Sequence, residues 1–320
     1  MRRVLAAAAL AVAAPAQADI ALRLPVACTL GETCFIQNHV DTDPGPGHRD
    51  FACGHLSYDG HDGTDFTLPT LADMARGVAV LAPADGTVTG TRDGMPDIAF
   101  NAPGAPPLDG RDCGNGVAID HGGGYVTQLC HLAQGSVLVR RGERVAAGQP
   151  LGRIGLSGRS EFPHVHLSLR KDGRAVDPFR PETTEGCDPA PAPGLWAEPL
   201  AYLPAALTGA GIATDPPDFA QVLAGLPTPD LLQADGPALV VWAVVMGPKA
   251  GDRLSLRLTG PQGPLHEQTV TLDRDQARAF RFSGRRTPAG GWPPGPYRAE
   301  IALIRDNRVL DRAEVASTLR

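Results

Sequence analysis

Lysine is nearly absent from this chain of 320 residues: Lys171 and Lys249 are the only lysines among 29 basic residues. The arginines are scattered, acidic residues outnumber basic ones 35 to 29, and the formal net charge is −6. No basic run is present that could follow a phosphate backbone or hold anionic lipid, so nucleic acid is not an expected partner. Long apolar runs are missing too. The one conspicuous run, Val4 to Ala14, is too short to span a bilayer, and no membrane anchor is expected. The absence of a C-x-x-C pair leaves a redox-active dithiol or a zinc ribbon without support.

What the N-terminus does contain is Arg2 and Arg3, then the apolar run, then Ala16-Gln17-Ala18 ahead of Asp19. This reads as a secretory signal peptide over residues 1–18 with a small-residue cleavage site, which predicts a periplasmic or secreted mature chain from about Asp19. Cys28, Cys34, Cys53, Cys113, Cys130 and Cys187 form an even set, and in an exported protein that favours disulfides over free thiols. Sequence alone does not choose among the fifteen possible pairings. Short intervening loops favour Cys28 with Cys34 and Cys113 with Cys130, which leaves Cys53 for Cys187.

Residues 19–57 are rich in Pro, Gly and Asp and are expected to form an irregular extension that wraps a core without forming one. From residue 58 to 182 short alternating strands follow one another, with hairpin signals at Asp85-Gly86 and His121-Gly122-Gly123-Gly124. A proline-rich linker and mixed segment is expected over 183–235, including one short helix in "PDFAQVLAG". Strands resume over 236–320, spaced by Gly, Pro and Asp, as in a small antiparallel β-sandwich of immunoglobulin-like type. The fold class expected is mainly β. No site is expected in the last segment, where Trp242 reads as a core aromatic and His266 as an exposed turn residue.

The chemistry concentrates in the first half. In "EFPHVHLSLR", Val165, Leu167 and Leu169 alternate with His166, Ser168 and Arg170, the period of a strand, so His164 and His166 point the same way. Two converging imidazoles are costly to bury without a metal or a reacting group beside them. In "HDGTD", His61 and Asp65 stand four apart, and Gly63 between them argues for the edge of a strand entering the sheet rather than a helix. His131 ends a predicted hairpin strand, Tyr125 to Leu132. A catalytic zinc takes three His or carboxylate ligands and keeps its fourth position for water. His61, Asp65 and one histidine of the H-x-H pair satisfy that shell, and the remaining histidine with His131 would then handle protons beside the water. His55 and His121 read as surface residues, and Asp59, Asp62 and Asp120 as solvated turn residues, one of which could orient a ligating histidine.

As a set, "HDGTD", "TQLCH", "GQPLGRIGLSG" and "PHVH" resemble, in order and approximate spacing, the zinc endopeptidases of the lysostaphin and LytM type, peptidase family M23. The resemblance covers roughly residues 58 to 180. It implies a compact antiparallel β-fold, one zinc held by His61, Asp65 and His166, His131 and His164 as the catalytic pair, and peptide stems of peptidoglycan as substrate. Members of the family that have lost ligands act instead as wall-binding modules regulating other hydrolases, and this chain keeps all five residues. Family members often carry a tyrosine where Leu129 stands, and the loop from Thr91 to Cys113 is longer than the minimal pattern; loops of that length shape or cover a site. The last segment is expected to orient the enzyme on the wall or to meet a regulatory protein partner.

Overall fold

The computed structural model describes residues 20–182, 186–188 and 194–320. The segment read as a signal peptide and part of the expected proline-rich linker lie outside the described residues. In chain order the first half comprises strands β1 (Phe35–Asn38) and β2 (Thr64–Thr67), helix α1 (Leu71–Ala75), and strands β3 (Ala79–Leu81), β4 (Gly86–Arg92), β5 (Asn115–Gly122), β6 (Tyr125–Leu132), β7 (Arg144–Val145), β8 (Pro150–Arg153), β9 (His164–Lys171) and β10 (Arg174–Ala175). The second half comprises β11 (Ala206–Ala213), helix α2 (Phe219–Ala224), β12 (Leu231–Leu232), β13 (Ala238–Met246), β14 (Arg253–Gly260), β15 (Gly263–Thr271), β16 (Arg278–Arg286), β17 (Gly295–Arg305) and β18 (Arg308–Leu319).

One antiparallel sheet carries the first half, in the order β1-β2-β9-β6-β5-β4-β7, with β10 paired to β9. Its inward face is built by strand alternation: Phe66 from β2, Val165 and Leu167 from β9, Leu129 from β6, and Val117 and Ile119 from β5 share one buried core. The expectation for residues 19–57 needs correction. "FIQN" forms the edge strand β1 against β2, and Val26, Cys34 and Ile36 enter the same core. Two apolar residues in an otherwise turn-rich stretch are too few to read as a strand, but the Cys28–Cys34 disulfide closes the turn that precedes them.

All three expected disulfides are formed: Cys28–Cys34, Cys53–Cys187 and Cys113–Cys130. Among the described residues no helix is long and apolar enough to cross a membrane.

The second half stacks the sheet β11-β13-β16 on the sheet β12-β18-β17-β14-β15. Val241, Ala243 and Val245 of β13 meet Leu254, Leu256 and Leu258 of β14 and Ile301 and Leu303 of β17 in one core between them. Immunoglobulin-type connectivity is not established by this strand order. This unit begins before residue 236, because β11 pairs along β13. Its sequence "ALTGAGIA" hides the strand: a Cβ on Gly211 would lie 2.4 Å from the Trp242 ring, so the indole requires glycine there. Trp242 itself packs with Val222 of α2 and Val244, on the face turned away from the inter-sheet core. His266 sits within β15, half-buried and bonded to Ser283 Oγ at 2.6 Å, rather than in a turn.

The halves are joined by buried contacts. Phe35 of β1 packs with Ala206 and Met246, and a Cβ on Gly247 would meet Leu56 at 2.6 Å.

Candidate metal centre and groove

The sheet registers place the candidate residues in one row. Asn38 of β1 lies opposite Asp65 of β2, Asp65 opposite His166 of β9, and His166 opposite Cys130 of β6. His164 is two residues along β9, opposite Thr67. His61 lies in the turn before β2 rather than on the strand itself. The close approach there is made possible by Gly63, where a Cβ would stand 2.5 Å from the His166 ring and 2.7 Å from the Leu167 carbonyl oxygen.

Three donor atoms converge. His61 Nε2 is 3.3 Å from Asp65 Oδ1, His166 Nδ1 is 2.9 Å from the same oxygen, and the two nitrogens are 3.1 Å apart. Ligand atoms about 2 Å from a tetrahedral zinc stand about 3.3 Å from one another, so the spacing suits that ion. The remaining polar atoms are already engaged, which fixes the lone pairs toward the shared point. His61 Nδ1 donates to the His39 carbonyl at 2.7 Å, and Asn38 Nδ2 donates to Asp65 Oδ2 at 2.9 Å. His166 Nε2 faces Asp62 Oδ1 at 3.5 Å, and Asp62 in turn accepts from Arg170 at 2.9 Å. Asp62 is therefore the turn aspartate that faces a candidate ligand, His166.

The electrostatics agree with a site built for a cation. Burial alone would raise the Asp65 carboxyl, but the imidazoles of His61, His164 and His166 outweigh it and hold it well below the usual carboxylate range. Burial alone would lower His166, but its hydrogen bonds to Asp62 and Asp65 prevail and raise it to about 9. A proton and a dication would compete for the same Nδ1 lone pair, so a metal bound at this point would displace a proton.

His131 and His164 stand beside this cluster, their rings 4.6 Å apart. His131 is 7% exposed and holds a left-handed backbone, φ 64°, unusual outside glycine. It directly follows Cys130, whose disulfide to Cys113, together with a shift in the β5–β6 register, fixes the strand end. His131 Nδ1 donates to the Ser157 carbonyl at 2.7 Å, and His164 Nδ1 to the Phe162 carbonyl at 2.9 Å with Ser160 Oγ at 3.1 Å. With Nδ1 carrying the proton in both, each Nε2 keeps its lone pair, that of His164 standing 3.6 Å from Asp65 Oδ1. Burial, reinforced by the neighbouring His164 and His166, pushes His131 down to about 3, and burial also lowers His164.

Both catalytic candidates open on a groove of about 540 Å³ lined also by Asn38, Tyr58, Phe100, Arg159 and Gln276. Tyr58, half exposed, lies over the His61 ring at 4.4 Å. Phe100 belongs to the long loop between β4 and β5, which thereby shapes one wall. Asn38, Tyr58 and the carbonyls of His39 and Ser157 carry no motif signal. Of the histidines read as surface residues, His121 is half-buried between the Asp85 carbonyl and Thr127 Oγ1, each 2.7 Å away. His55 is likewise half-buried and lines the groove.

The sequence model described as Peptidase family M23 matches residues 59–178. Over 120 residues the chain is 36% identical to the peptidoglycan DD-endopeptidase ShyA of Vibrio cholerae serotype O1, an alignment covering 38% of this chain and 22% of that protein. It is 31% identical over 120 residues to the DD-carboxypeptidase/endopeptidase Mpg of Neisseria meningitidis serogroup B, covering 37% and 22%. The chain thus spans about a fifth of the length of these relatives. Among solved structures it is similar to the catalytic domain of the prophage-encoded M23 protein EnpA of Enterococcus faecalis, at 25% identity, 47% and 91% coverage and a TM-score of 0.31.

Proposed function

We propose, on the premise that residues 59–178 are a peptidase family M23 domain, that this chain is a zinc-dependent endopeptidase that hydrolyses peptide cross-links of peptidoglycan outside the cytoplasm. The observation that carries the reading is the donor set itself: His61 Nε2, Asp65 Oδ1 and His166 Nδ1 within 3.3 Å of one another, each with its other polar atom tied off. Held by these three residues, zinc would supply Lewis acidity and a water whose pKa falls toward about 7.

The chain's own residues do the rest. The groove admits an extended peptide alongside His131 and His164. One Nε2 takes a proton from the attacking water. The resulting imidazolium steadies the developing oxyanion and passes the proton to the departing amine, so that the peptide bond is exchanged for a carboxylate and a free amine. The names of the relatives make D,D-linked stems the first substrate to try. Three disulfides support an oxidising compartment.

The test is zinc content and muropeptide release from purified sacculi, for the chain from Asp19 and for His164→Ala in parallel. The expected result is about one zinc in both proteins, as the three-ligand shell requires, with release only by the former. Zinc in both and release by neither would end the endopeptidase reading.

A further inference from the structure

Arg278 opens β16 in the second half of the chain, yet its guanidinium is spent entirely on the first. Nε donates to Gln37 Oε1 at 2.8 Å, and Nη2 to Thr67 Oγ1 at 2.6 Å and the Leu68 carbonyl at 3.4 Å. Its Cζ stands 4.8 Å from the centre of the Phe162 ring, a cation held against an aromatic face. Burial pushes this guanidinium down to about 10, so a costly desolvated charge is kept here by neutral acceptors.

Two of these partners, Phe162 and Thr67, touch the setting of His164. Phe162 stacks on the His164 ring at 4.6 Å, with 30° between the planes, and its carbonyl accepts the Nδ1 proton. Thr67 is the register partner of His164, and its hydroxyl reaches the Pro163 carbonyl at 3.1 Å. Just before Arg278, the residues Asp275, Gln276 and Ala277 line the same groove as His164. A guanidinium with two bonded edges and an aromatic face fixes orientation in a way an ammonium does not.

We propose that Arg278 is a positioning residue for His164, through Phe162 and Thr67, so that the second domain sets the geometry of the catalytic groove. The inference rests on the endopeptidase reading for its kinetic arm only.

The test uses the full mature chain loaded with zinc, with Arg278→Lys and Arg278→Met beside the wild type. The measurements are zinc content, kcat and KM on a cross-linked muropeptide dimer, and the His164 Nδ1–H signal in 15N-histidine NMR. Both variants are expected to keep zinc and KM, to lose kcat by about tenfold or more, and to shift or broaden the His164 signal, because small displacements of a reacting group are expensive in rate. Unchanged kcat and an unchanged His164 signal in folded variants would overturn the proposal, as would a loss of kcat no larger than the loss of folded protein.

If neither Arg278 variant folds, Gln37→Met decides, since it removes the acceptor of Arg278 Nε while leaving the Phe162 ring in place on His164. The same shift supports the proposal and its absence refutes it. A wild type that cleaves no cross-linked peptide would end the functional reading, while the NMR signal would still decide this one.

Discussion

Asn38 and Asp65 face each other across the edge pair of the sheet, and the Asn38 amide donates to Asp65 Oδ2 at 2.9 Å, leaving Oδ1 to the metal donor set. A carboxylate so held cannot turn its second oxygen inward. Asn38→Ala should therefore weaken zinc binding by about 10- to 100-fold with the fold intact, and Asp62→Ala should act similarly through His166. Competition with a chelator of known affinity measures both. Wild-type affinity in Asn38→Ala would show that the hydrogen bond does not orient the ligand.

Removing the candidate ligands and removing the candidate proton carriers should have separable effects. His61→Ala, Asp65→Ala and His166→Ala should lose metal and turnover together. His131→Ala and His164→Ala should keep the metal while kcat drops by about 10²- to 10⁴-fold. Metal analysis of each purified variant beside its turnover settles the division, and full zinc in a turnover-dead Asp65→Ala would contradict it.

Gly63→Ala is expected to be far more damaging than its size suggests. Its Cβ meets the His166 ring at 2.5 Å and backbone at 2.7 Å, so either the imidazole moves off the donor point or β2 parts from β9. Reduced zinc affinity and a lowered melting temperature should appear together, and a variant with both at wild-type values would show that the strand relaxes freely.

The Cys113–Cys130 bridge closes a loop with a sequence separation of 17 immediately beside His131. Replacing both cysteines by serine should cost about 3 kcal/mol in the chain-entropy picture. It should also lower kcat, because the left-handed backbone at His131 loses its brace. Denaturant melts and turnover report the two effects separately, and loss of stability at unchanged kcat would free His131 from dependence on the bridge.

Asp177 is fully buried, and burial raises its carboxyl to about 7; Oδ1 accepts from the Phe179 amide while Oδ2 has no hydrogen-bond partner among the described residues. Its pKa in the folded chain lies above the unfolded value, so its contribution is fully present below about pH 4 and is lost as pH rises through about 7. Asp177→Asn removes that loss. The variant should melt higher than the wild type at pH 8 and at about the same temperature near pH 4. Parallel melting curves across that range would mean that the carboxyl titrates normally.

The candidate ligands and proton carriers were legible because each sits in a local pattern: H-x-H on an alternating strand, H-x-G-x-D at a strand entrance, a histidine at a hairpin end. The groups that hold them were not. Asn38 belongs to a four-residue strand whose partner lies 27 positions away, and no period marks it. Ser157 and His39 act through backbone carbonyls, which any residue supplies. Strand β11 is concealed by glycines that accommodate Trp242, and β18 by charged residues alternating along "RVLDRAEVASTL", so the sandwich looks shorter in sequence than in space. Arg278 reads as one more surface arginine of a strand end; its role exists only because the two halves meet.

The bridge between Cys53 and Cys187 joins residues 134 apart, and every strand from β2 to β10 lies between them. Covalently that stretch is a ring with two tails. A protease that cuts once in the loop between β4 and β5 opens the ring without releasing a piece, so the candidate metal donors on either side of the cut stay on one molecule. A single nick there would change the path of the chain and not its inventory.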